Sequence, residues 1–119
     1  MKIVNISAEL AAHSQGSFLN LVEFNGHPVG ACDIVGTSPV WEMHPDTDEL
    51  FYVIEGTFEA TLITDAGETH HVAAAGSMLV IPKGVWHRPA APDGAKLIYL
   101  TPGKTLHSEA ADPRVEQDG

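Results

Sequence analysis

Cysteine is nearly missing from this chain: Cys32 is the single one among 119 residues. No internal disulfide can form, and a thiolate zinc cluster is excluded. Cys32 itself reads as a small buried hydrophobe in a strand. Basic residues are scarce as well, 6 Lys and Arg against 16 Asp and Glu, which gives a formal net charge of −10. A nucleic-acid binder draws most of its affinity from neutralising phosphates, so that class is set aside, and an anionic membrane surface is disfavoured for the same reason. Long hydrophobic runs are absent, and none approaches the roughly 18 to 20 residues needed to cross a bilayer. The opening Met1-Lys2-Ile3-Val4-Asn5 lacks the charged and apolar regions of a signal peptide, so a soluble cytoplasmic protein is expected.

What is present fits one small domain: 44% hydrophobic residues suffice for a core. Short apolar segments alternate with turn residues. Ser7 to Gln15 is predicted as a short helix, capped by Ser7, with Leu10 and Ala11 facing inward. Strands are predicted at Phe18 to Phe24, Val29 to Val35, Val40 to His44, Leu50 to Ile54 and Phe58 to Thr64. Further strands follow at Thr69 to Ala73, Met78 to Ile81, Val85 to Pro89 and Leu97 to Leu100. Asn25-Gly26, Glu55-Gly56, Asp65-Ala66-Gly67, Lys83-Gly84 and Asp93-Gly94 supply turn signals between them. Many short strands at this spacing indicate an all-β sandwich or barrel. From Thr101 onward prolines and charges replace the periodicity, so the domain is drawn as 1–103, with 104–119 as a surface tail.

Seven histidines are the compositional surplus, and imidazole is the commonest metal ligand. In a strand, Glu42 and His44 project from one face and Met43 from the other. Pro45 and Asp46 break that strand, and Glu49 opens the next, sharing a face with Phe51 and Val53. A carboxylate on so apolar a wall is costly unless compensated, and two together cost more. A divalent cation would balance Glu42 and Glu49 at once. His87 follows the tight Pro82-Lys83-Gly84 turn; alone it would be ordinary, and its value lies in the combination.

These segments resemble the two motifs of the cupin superfamily. Gly36, His44, Glu49 and Gly56 match the first motif, G-x5-H-x-H-x(3,4)-E-x6-G, with Glu42 in place of its first histidine. Gly76, Pro82, Gly84 and His87 match the second, G-x5-P-x-G-x2-H-x3-N, with Ala91 in place of the asparagine. The runs Asp46 to Gly56 and Ile81 to Pro89 are similar to small bacterial cupins of the mannose-6-phosphate isomerase-like type. The resemblance covers residues 1 to 103. It implies a double-stranded β-helix, the jelly-roll barrel, holding one divalent metal ion (Mn, Fe, Zn or Ni) with His44, Glu49 and His87. For Glu42 three readings stand open: a fourth ligand, a group beside a three-residue site where it serves as a base, or the mark of a degraded site whose carboxylate is salt-bridged.

The function expected is a metal-dependent enzyme of the oxygenase or isomerase/lyase class, acting on a small polar molecule, with Glu42 as candidate catalytic base. The alternative is a non-catalytic barrel that binds or senses a small ligand. Lys83 and Arg88 are the only basic residues near the motifs, which argues against a sugar phosphate. His70 and His71 are adjacent and would face opposite ways; His13, His27 and His107 lie outside the motifs and read as surface or structural. Phe51, Val53, Met78 and Val80 are candidate pocket residues, although Leu79 and Ile81 could take the place of the last two. Trp41 and Trp86 read as core. Small cupins commonly pair, so a homodimer is expected.

Overall fold

The computed structural model describes residues 1–116. A short helix, α1 (Ile6–Ala11), precedes β1 (Phe18–Phe24), β2 (His27–Thr37), β3 (Trp41–Met43) and β4 (Glu49–Thr64). Then come β5 (Gly67–Ala74), β6 (Met78–Ile81), β7 (Trp86–Leu100), β8 (Leu106–Ser108) and a last helical turn, α2 (Pro113–Glu116). All strand pairs are antiparallel and belong to one curled 8-stranded sheet. This is the all-β barrel that the strand pattern and the motif resemblance led us to expect. No helix among the described residues is long and apolar enough to cross a membrane.

The two long strands organise the sheet. The C-terminal half of β7 pairs with β2 and with the start of β4, as in Cys32↔Leu97 and Val53↔Leu97. The N-terminal half of β7 pairs with β3 and with the end of β4, as in Glu42↔His87 and Leu62↔His87. Period-2 alternation decides what lies inside. Along β4, Glu49, Phe51 and Val53 are buried while Leu50, Tyr52 and Ile54 are only partly covered. The interior is a cluster of Cys32, Phe51, Val53, Phe58, Ala60, Ile81 and Leu97, with the Phe51 and Phe58 rings 5.0 Å apart. Each such large side chain contributes roughly 1.5–3 kcal/mol on burial. On the opposite face of β3 from Glu42, Trp41 and Met43 form a second buried cluster with Trp86.

Four details differ from the sequence reading. The helix is capped two residues earlier, because the Asn5 side chain, not Ser7, accepts the Ala8 N–H, and it ends at Ala11, which is exposed; Leu10 is buried as expected. Glu55-Gly56 is not a turn but an irregularity inside β4, where Gly56 at φ 80° lets the strand bend without ending. Asp93-Gly94 likewise lies within β7, so four predicted strands are two long ones. Finally, residues 104–119, read as a tail, contain β8, whose Leu106, His107 and Ser108 pair with β3. Residues 117–119 lie outside the described part.

Candidate metal centre

The site is assembled by two strand starts and one strand end. Glu42 lies on β3 and His44 directly follows it; Glu49 opens β4; His87 is the second residue of β7. The loop from β3 to β4 is fastened to the turn before β7: the Gly84 N–H donates to the His44 carbonyl at 2.8 Å, and the Lys83 N–H to Asp48 Oδ1 at 2.9 Å. Asp48 thus caps the loop, while Asp46 is exposed. Thr47 adds a hydrogen bond to the Pro102 carbonyl.

All four candidate residues converge. One potential ligand atom from each of Glu42, His44, Glu49 and His87 lies within 4.8 Å of every other. Glu49 Oε1 stands 3.2 Å from both His44 Nε2 and His87 Nε2, and Glu42 Oε2 is 3.8 Å from His87 Nε2. His44, Glu49 and His87 are buried, at 3%, 5% and 1% exposure. Although close, His44 Nε2, Glu49 Oε1 and His87 Nε2 have no hydrogen-bond partner. Buried polar atoms without partners are costly, and three aimed at one point form a donor set that could hold a metal ion.

The remaining atoms of these side chains are tethered. His87 Nδ1 sits 3.2 Å from the Val85 carbonyl, which can only accept, so the hydrogen-bond network assigns the proton to Nδ1 and leaves Nε2 as a bare lone pair. The Thr105 hydroxyl lies 3.0 Å from His44 Nδ1, and the Thr101 hydroxyl donates to Glu49 Oε2. Partners of this kind orient metal-binding side chains.

Electrostatics follow from the packing. Burial alone would raise the Glu49 carboxyl, but His44, His87 and Thr101 overcome it and hold it down to about 2. Burial alone would lower His44, yet the Glu49 carboxylate beside it leaves the imidazole raised. Glu42 is raised, chiefly by burial, with His87 opposing and Glu49 reinforcing the shift. Burial pushes the Cys32 thiol up to about 12, in keeping with an inert hydrophobe.

Beside the cluster opens a cavity of about 280 Å³, lined by Glu42, His44 and Glu49 together with Thr101, Thr105 and His107. Its other walls are Phe18, Cys32, Ile34, Phe51, Phe58, Pro89, Leu97 and Tyr99. Phe51 is therefore a pocket residue, whereas Val53 belongs to the core behind it. Met78 and Val80 point outward at 67% and 55% exposure, and Leu79 and Ile81 take the inward phase. Arg88 lies over the Trp41 ring, 4.7 Å from its centroid, on the face opposite His87. His70 is exposed and bonded to Glu59 and Thr61; His13 bonds the Glu9 carbonyl.

Sequence reasoning missed Thr101, Thr105 and His107. His107 faces Glu42 directly across β3 and β8, and Glu42 faces His87 across β3 and β7. The three residues form one row across the sheet, of which Glu42 and His107 line the cavity. The only available signal was the Thr105-Leu106-His107 alternation, too short to read as a strand.

The comparisons agree with this architecture. The family model described as "Cupin domain" matches residues 33–103, more than half of the chain. A sequence relative, "Uncharacterized protein YdbB" of Bacillus subtilis (strain 168), is 39% identical over 69 residues, spanning 58% of this chain and 58% of that one. Among solved structures, a cupin-2 domain containing protein from Shewanella frigidimarina is 32% identical with a TM-score of 0.74, covering 84% of this chain and 94% of its own. Protein NMB1881 from Neisseria meningitidis is 22% identical with a TM-score of 0.72, covering 86% and 100%. Hydroquinone 1,2-dioxygenase from Sphingomonas sp. TTNP3, solved with 4-hydroxybenzoate bound, is 18% identical with a TM-score of 0.67, covering 84% and 74%, a likeness of fold. Motif, barrel and family match coincide on one stretch of sequence, and the chain belongs to the cupin family as a small cupin.

Proposed function

We propose that Glu42, His44, Glu49 and His87 bind one divalent cation, and that this centre serves a metal-dependent enzyme, an oxygenase or an isomerase/lyase, acting on a small molecule in the adjoining cavity. The observation that carries this reading is the convergence of three buried, unpartnered donor atoms, with two imidazoles presenting Nε2. Two nitrogens and two carboxylates suit Mn²⁺ or Fe²⁺ in function, while Zn²⁺ or Ni²⁺ would compete on affinity. A bound cation would supply Lewis-acid polarisation of a substrate oxygen.

Glu42 is given two roles. Its carboxylate is the most distant of the four groups and the only one only partly buried. It would complete the ligand set, and it is also the group placed to take a proton from a molecule in the cavity. His107, directly opposite on β8, flanks the same carboxylate.

Metal analysis after anaerobic purification tests the assignment, with one ion per chain expected and none in Glu49→Ala. Glu42→Ala should weaken binding about tenfold or more, and Glu42→His should retain the ion. An alanine variant with unchanged metal affinity would remove Glu42 from the ligand set. Substrate turnover, with oxygen consumption followed, separates the enzyme from a barrel that only binds or senses its ligand. A homodimer is also proposed, on the strength of the apolar outward face that β4, β6 and β7 present.

A further inference from the structure

We infer, resting on the metal assignment above, that the cavity takes a small uncharged molecule with one oxygen donor and an apolar, ring-sized body, and that Glu42 is what excludes anions. Charge comes first. With neutral imidazoles, a dication beside Glu42 and Glu49 sums to zero, so the position facing the cavity would carry no net positive charge. Replacing Glu42 by the histidine of the usual motif would leave that position one unit positive. None of the residues lining the cavity is a lysine or arginine. Lys96 pairs with Glu55 and Arg114 with Asp112, while Arg88 lies over Trp41 on the opposite face of its strand. The chain as a whole is at −10. An anion entering this cleft meets repulsion from Glu42 and from the field of the molecule.

The walls set the rest. Phe18, Ile34, Phe51, Phe58 and Leu97 offer a ligand only hydrocarbon. Besides His44 and Glu49 at the metal position and Tyr99, whose hydroxyl lies against Gly30, the polar lining is the pair Glu42 and His107 with Thr101 and Thr105, whose hydroxyls are already engaged with Glu49 and His44. A sugar would therefore bury several hydroxyls without partners, at roughly tenfold in affinity for each. The volume of about 280 Å³ is ample for one ring with a short substituent, since an apolar cavity of about 150 Å³ holds benzene. The polar substrate expected from sequence is thus replaced by one whose single polar head faces the metal position.

The test uses the full chain loaded with Co²⁺, whose visible bands report ligands entering the metal's coordination. Benzamide, benzoate and glucose are the probes: the first two match in shape and differ in charge. Benzamide should perturb the bands with an affinity at least tenfold above that for benzoate or glucose. Glu42→Gln, and Glu42→His as a second variant that keeps a strong metal ligand, should shift the benzamide-to-benzoate ratio about tenfold towards benzoate. Equal binding of benzoate or glucose by the unaltered chain, bands unmoved by benzamide, or a ratio unchanged in both variants overturns the inference alone. Absence of cobalt bands in the unaltered chain overturns the metal assignment, and the inference with it.

Discussion

Glu49 is the residue on which the site turns, because one oxygen serves both imidazoles. In the metal-free protein it is a charge partner, held down to about 2 from 4.5, while His44 is raised from 6.5. A lowered carboxyl contributes stability above its unfolded value and loses it as pH falls through the folded one; a raised imidazole contributes below its unfolded value and loses it as pH rises. The pair therefore stabilises the metal-free fold most between 4.5 and 6.5. Urea midpoints measured at about pH 3, 5.5 and 8 should peak at the middle value, and Glu49→Gln should flatten that dependence. Thr105→Val tests the tether on His44: the barrel should fold normally, and metal affinity measured by chelator competition should fall about tenfold. His44, Glu49 and His87 were legible in the sequence because strand periodicity and motif spacing both point to them. Thr101, Thr105 and His107 were not, because the end of β7 and the pairing of β8 with β3, rather than any local pattern, bring them to the cavity.

At the scale of elements, the irregularity in β4 separates what sequence can say from what it cannot. A glycine-containing dipeptide looks the same in a hairpin turn and in a bulge, and only the partner strand decides. Here Gly56 faces Ala95 of β7, and a Cβ added to it would come within 2.2 Å of the Gly94 carbonyl oxygen. Gly36, also at positive φ, has open space around its missing side chain. Gly36→Ala should consequently cost about 1 kcal/mol, the conformational penalty alone, whereas Gly56→Ala should cost about 3 kcal/mol or more or abolish folding. Denaturant midpoints of the two variants give the comparison. Similar losses for both would mean that the close approach to Gly94 is readily relieved. The same limit explains β8: three residues in a proline- and charge-bearing stretch carry no periodicity, and only their pairing with β3 defines them as a strand.

For the molecule as a whole, the outward face of the sheet is the unsettled surface. Leu50 pairs with Val80 and Leu100, and Tyr52 with Met78 and Ile98, so six large apolar side chains lie side by side facing away from the cavity. Contiguous apolar patches of this kind are uncommon on monomers. Sedimentation should give a mass near twice 12.7 kDa. Val80→Asp, which points outward from the face of the sheet opposite Glu49, should yield a monomer that binds metal as before. A monomeric unaltered chain removes the dimer proposal.

β4 and β7 also form a double ribbon, with Glu49 at one end and, at the other, Leu62 paired to His87. Laid flat, positions 49 and 62 would stand roughly 40 Å apart, yet the Glu49 carboxylate is 3.2 Å from His87. The ribbon is doubled over at Gly56, and a cation joining its two ends would act as a clasp. Amide exchange at the crease, in Glu55-Gly56-Thr57, should then slow when metal is added, although no ligand lies there. The glycine that permits the crease and the ion that keeps it shut would be two halves of one fastening.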